Sequence, residues 1–128
     1  MALVRSNRRS SDFTVPVICA AGSAVGDVVY VSGPSEVAKA DSSSADKMPA
    51  AGALLSVVGL SGVLATAGVV TGAYSGLVPG HAYYVGLDGR PVLLSVIQLA
   101  GHAFCQRVGV ALDSGTLLLS VSGRVVRL

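Results

Sequence analysis

Residues 50–70 read AAGALLSVVGLSGVLATAGVV, and the fold turns on whether this run is one membrane helix or a set of buried strands. It lies inside a longer zone, Met48–Leu87, that holds no Asp, Glu, Lys or Arg. A membrane-spanning helix needs about 20 apolar residues, and the run is that long. Gly68 and Gly72 also make a GxxxG spacing, which favours helix pairing in a bilayer. Against the helix, glycines recur at 52, 59, 62 and 68. Each disfavours a helix by up to ~1 kcal/mol relative to alanine. The run also lacks an aromatic belt at its ends, and no Lys or Arg follows it closely.

The run divides instead into ALLSVV, then GLSG, then VLATAGVVTG, which reads as strand, turn, strand. In the second half, Val63, Ala65, Ala67 and Val69 share one face of a strand, and Leu64, Thr66, Gly68 and Val70 share the other. Both faces are apolar or small, the pattern of a strand buried on both sides. The expectation is a β-hairpin buried within a sandwich or between subunits, with Val63, Ala65, Ala67 and Val69 as subunit-interface candidates.

At 128 residues the chain is one domain of ordinary size. Hydrophobic residues make up 52% and charged residues 12%, about half the usual charged fraction. So few charges do not cover a monomer, and either a bilayer or other subunits are expected to cover part of the apolar surface. The net charge of +2 does not by itself imply nucleic acid. Arg5, Arg8 and Arg9 crowd the polar N-terminus, residues 1–12, which reads as a flexible basic arm before a β-domain at 13–128. Three arginines give only weak, salt-sensitive nucleic-acid binding, and the arm reads either as a segment that docks onto an acidic surface and orders there or as a merely disordered, soluble tail. No apolar segment follows these arginines as in a secretory signal.

From Phe13 onward short apolar runs alternate with turn residues. TVPVICA, DVVYVSG, EVAKA, HAYYVG, QRVGVAL, TLLLSVSG and RVVRL read as strands. Pro16 marks an edge or a bulge. ADSSSADKMP reads as a polar loop with one helical turn. Pro79-Gly80 and Asp88-Gly89 are turn signals, and PVLLSVIQLAG fits a strand or a short helix. Eight to ten short strands at this spacing indicate an all-β sandwich or barrel.

The sequence offers little for catalysis. Cys19 and Cys105 are not in a CxxC arrangement and read as buried free thiols. His81 and His102 read as turn or surface residues, too few for a metal site. On a strand, His102 and Cys105 would point to opposite faces. No serine sits in a GxSxG elbow, no glycine loop matches a phosphate-binding motif, and the carboxylates are spread over turns. The chain is therefore read as non-enzymatic, without catalytic residues, cofactor or metal.

Three stretches carry a family resemblance: VGDVVYVSGPSEVAKADSSSADKMPAAG (25–52), VVTGAYSGLVPGHAYYVGLDGRP (69–91) and QRVGVALDSGTLLLSVS (106–122). Together they resemble capsid decoration proteins of tailed bacteriophages, the head-stabilising or cement proteins. Similar modules occur in phage tail-fibre proteins. The resemblance spans roughly Val25–Val121 and rests on turn and strand residues. The chain departs from the pattern in the apolar LLSVIQLAGHAF (93–104) and in the arginine-bearing N-terminus. The resemblance implies a trimeric virion protein on the capsid exterior, with the major capsid protein as partner and neither nucleic acid nor membrane involved. The alternative is a receptor-binding or spacer module of a tail or head fibre. A more remote one is a small membrane protein using Ala50–Val70.

Overall fold

The Ala50–Val70 run forms strands. The computed structural model describes residues 14–95 and 103–127. Among them, twelve strands and one 3₁₀ turn make an all-β domain. The expected arm with Arg5, Arg8 and Arg9 lies outside the described residues, as do His102 and most of the apolar 93–104 stretch. No helix among the described residues is long and apolar enough to cross a membrane.

The first layer is a closed five-stranded barrel. Its strands are β1 (Thr14–Cys19), β2 (Val28–Gly33), β3 (Glu36–Lys39), β4 (Gly52–Val58) and β5 (Ser61–Ala65), in the order β1-β3-β2-β4-β5. Strands β4 and β5 form the expected hairpin, and Gly59 at φ 61° starts its turn. The barrel closes through antiparallel β1–β5 pairing and a short parallel β1–β3 pairing at Ile18 and Cys19. Pro16 sits where the sequence suggested, at an open edge. The Ile18 N–H points toward β3 and donates to Ser35 O at 2.8 Å. Residue 16, two positions earlier, points the same way where β3 has not begun, so the missing N–H has no ladder to break.

The second layer is a five-stranded antiparallel sheet, β6-β11-β10-β7-β8. Its strands are β6 (Ala67–Thr71), β7 (Ala82–Val85), β8 (Pro91–Val92), β10 (Arg107–Asp113) and β11 (Thr116–Ser120). A small ribbon pairs β9 (Phe104–Cys105) with β12 (Val126–Arg127). The 3₁₀ turn Ala45–Lys47 lies in the polar loop expected to hold a helical turn.

Alternation along the barrel strands builds two cores. Val29, Leu54 and Leu64 point inward and fill the barrel with Val17, Cys19 and Val37. Their neighbours Val28, Ala53 and Ala65 point outward, against Val70, Val85, Val108, Ala111, Leu117 and Leu119 of the sheet. Consecutive apolar residues are thus explained by two buried faces. Each fully buried Leu or Val contributes roughly 1.5–3 kcal/mol. The small side chains of Ala53 and Ala65 on the outward face let the layers approach closely.

Polar stitches join the layers. Asp88 and Gly89 both adopt positive φ, 52° and 76°, in the β7–β8 turn. From there Gly89 N–H donates to Ala40 O at 2.7 Å, and Val28 N–H donates to Gly89 O at 2.8 Å. The Tyr74 hydroxyl donates to Gly26 O at 2.8 Å. Burial, and then the charge of Asp27, push the Tyr74 phenol up to about 12, against ~10 in an unfolded chain. A raised folded pKa makes this contribution whole below about pH 10 and lost as pH climbs toward about 12. Melting temperatures from pH 8 to 12 are expected to fall more steeply above pH 10 in the native protein than in Tyr74→Phe. Equal slopes would remove Tyr74 from the alkaline transition.

Two expectations need correction. Val63–Gly72 is not one strand, because it breaks at Thr66 into β5 of the barrel and β6 of the sheet. Nor are both thiols buried: both cysteines are free, but only Cys19 is fully enclosed, inside the barrel, while Cys105 is half-buried on the ribbon.

Candidate assembly surface

The outer face of the five-stranded sheet is the most distinctive surface of the molecule. Residues directly paired across antiparallel strands share a face. Val69 pairs with Leu118, Leu118 with Val110, and Val110 with Ala82. These four make a continuous apolar row across four strands, on the side away from the core. Leu118 and Val69 are 42% and 52% exposed. Flanking pairs Thr71–Thr116 and Ala67–Ser120 are uncharged as well. Charge enters only at the margins, with Arg107 opposite Tyr84 and Asp113 at the hairpin end. A sheet with one solvated face normally alternates apolar and polar residues. Here the outward positions are apolar too, which makes this face the candidate interaction surface.

A second apolar patch lies at one end of the barrel. Ile18 and Val58 both pair with Ser61 and so share its face. They are 50% and 80% exposed, and Leu60 in the adjoining turn is 58% exposed.

The four interface candidates are divided between the layers. Val63 is half-buried on β5, and Ala65 is sealed in the core between the layers. Ala67 and Val69 stand on β6, and Val69 belongs to the outer row. The break at Thr66 separates the pairs, so they form no single face. Sequence reasoning missed Leu118 and Val110. The signal was the three consecutive leucines of TLLLS, where Leu117 and Leu119 face inward and Leu118 must face out.

It also missed Gln106, which is buried just before β10. Its amide oxygen accepts from Ala50 N–H at 2.8 Å, and its amide nitrogen donates to Ala50 O at 3.1 Å and Ser122 O at 2.8 Å. The side chain thus imitates a strand, tying the loop before β4 to the segment after β11.

Several of the remaining polar groups have local structural partners. Asp41 accepts from the backbone and hydroxyl of Ser43. These bonds hold its carboxyl below the usual range despite partial burial, which opposes them. Asp113 accepts from Gly115 N–H in the β10–β11 turn, and this bond lowers its carboxyl likewise. Asp27 accepts from Ala24 N–H at 2.9 Å and faces Lys39 at 3.9 Å. Burial pushes both thiols up. No cluster of three or more His, Cys, Asp or Glu stands together among the described residues. Comparison with protein families, curated proteins and solved structures finds no match for the chain.

Proposed function

We propose that the chain is a non-enzymatic structural protein of a virion, which sits as a homotrimer on the outer surface of a tailed-phage head and stabilises the shell. The observation that carries this reading is the uncharged outer row Val69–Leu118–Val110–Ala82. Burying it against another subunit is favourable by the hydrophobic effect and strands no charge. The second patch, at Ile18, Val58 and Leu60, supports a ring over a two-fold dimer. A two-fold contact uses one patch twice, whereas a ring needs two different patches on each copy. The family resemblance supports the head as the seat of that ring. A protein that binds the assembled shell and not its separated subunits stabilises the shell by mass action.

Light scattering after size exclusion, without detergent, is expected to give a single species near three times 12.8 kDa. Leu118→Glu is expected to dissociate it to monomers with an unchanged β-type circular dichroism spectrum. A trimer that survives this change would remove the sheet face from the interface. Added back to bare heads of its own phage, the native protein is expected to bind in numbers comparable to the major capsid protein and to raise the melting temperature of the shell. A copy number per virion far below that would move the protein to a fibre.

A further inference from the structure

A groove of about 300 Å³ runs between the Ala45–Lys47 turn and the β9–β12 ribbon, lined by Ala45, Met48, Pro49, Phe104, Gly123 and Val125. It is separate from both apolar patches described above. We infer that it is a docking site for an extended segment of a partner protein that inserts one bulky apolar side chain and flanks it with carboxylates.

The floor argues for the apolar anchor. A dry cavity of ~150 Å³ holds benzene, so this groove takes one aromatic or branched aliphatic side chain together with part of its backbone. Met48 is an unbranched, polarisable side chain that adapts to different anchors.

The rim argues for the carboxylates. Arg127 is the register partner of Phe104, so the two share a face of the ribbon. Phe104 lines the groove, which places Arg127 on the groove side. Arg124 lies between the lining residues Gly123 and Val125, and Lys47 directly precedes Met48; all three cations are exposed. The ion pair found among the described residues is Lys39–Asp27, and none of these three takes part in it. Asp46 lies on the Ala45–Lys47 turn, and Lys47 also stands near Asp41, whose carboxyl it helps to hold down, so three cations meet two acids around an apolar slot.

Charge also excludes one other occupant. The chain's own N-terminal segment carries Arg5, Arg8 and Arg9 and has the wrong sign.

The test is a selection of random nine-residue peptides displayed against the full chain, independent of its oligomeric state. Enriched peptides are expected to share a Phe, Trp, Leu or Ile with Asp or Glu within three positions. The best of them, as a synthetic peptide, is expected to shift the amide resonances of Met48, Phe104, Gly123 and Val125. Its affinity should fall at least tenfold in the combined Lys47→Glu, Arg124→Glu and Arg127→Glu variant, and fall again as salt screens the rim. Asp46→Lys should tighten it, which keeps the inference testable should the triple variant fail to fold. Enrichment of peptides without acids, resonance shifts confined to the Val69–Leu118 row, or no enrichment at all would each overturn it. So would binding to phosphatidylserine vesicles without peptide enrichment, since that assigns the cations to a membrane surface.

Discussion

Gln106→Leu is expected to destabilise the fold by about 3–4 kcal/mol, although leucine nearly matches glutamine in shape. The amide of Gln106 satisfies both the N–H and the C=O of Ala50, which is 5% exposed, and also the C=O of Ser122. Leucine leaves these groups without partners, and each buried unsatisfied group costs about 1–3 kcal/mol. For a domain of this size the melting temperature should drop by roughly 12–16 °C. Gln106→Glu should be at least as harmful, because it keeps an acceptor, loses the donor to both carbonyls and buries a charge. Thermal melts and urea titration with an unchanged m-value check the prediction. A loss under about 1 kcal/mol would mean that solvent replaces the lost bonds, and Gln106 would then not be the pin that joins the Ala50 loop to Ser122.

Gly109→Ala is expected to be comparably damaging. Gly109 pairs with Leu119 in the middle of the sheet. A Cβ added there would run into the carbonyl of Leu118, with Leu119 Cα 3.2 Å away. These are backbone atoms that cannot swing aside, so β10 and β11 must separate along the central pairing of the sheet. Overpacking a core typically costs 1–3 kcal/mol through shifted side chains. A backbone collision should exceed that range, giving a loss of about 3 kcal/mol or more and a low soluble yield. Gly123→Ala is the control, since an added Cβ there meets nothing within 4 Å, and it should change stability by less than about 0.5 kcal/mol. Hydrogen exchange would locate the damage, with lost protection expected first in β10 and β11. Uniform loss of protection across the barrel would contradict a local clash.

The candidate surface was partly readable beforehand. The low charge content implied covered apolar surface, and Val69 was among the residues named for it. Ala65 was named as well, yet it lies in the intramolecular core. The difference is the break at Thr66. Period-two alternation assigns faces only while a strand continues, and here the chain passes from barrel to sheet within one residue. Leu118 and Val110 join Val69 only through pairings between β6, β11 and β10, and β6 and β11 are far apart in sequence.

What the sequence determined by itself is local. Short apolar runs between Gly, Pro and Asp turns specified strands, because those turn residues adopt conformations that interrupt any helix. Consecutive apolar residues such as Val28-Val29 and Leu64-Ala65 specified strands buried on both faces. Asp88-Gly89 and Asp113–Gly115 specified the turns of two hairpins. The tertiary structure decided which strands meet: the parallel β1–β3 seam that closes the barrel, the β9–β12 ribbon that walls the groove, and the burial of Gln106. Each is a contact between segments that are distant along the chain or unremarkable in pattern. Glutamine in QRVG looks like any polar strand residue until the Ala50 loop and Ser122 are brought against it. Local propensity sets the conformation of a segment, whereas its partner is chosen by the burial and hydrogen bonding of the whole chain at once.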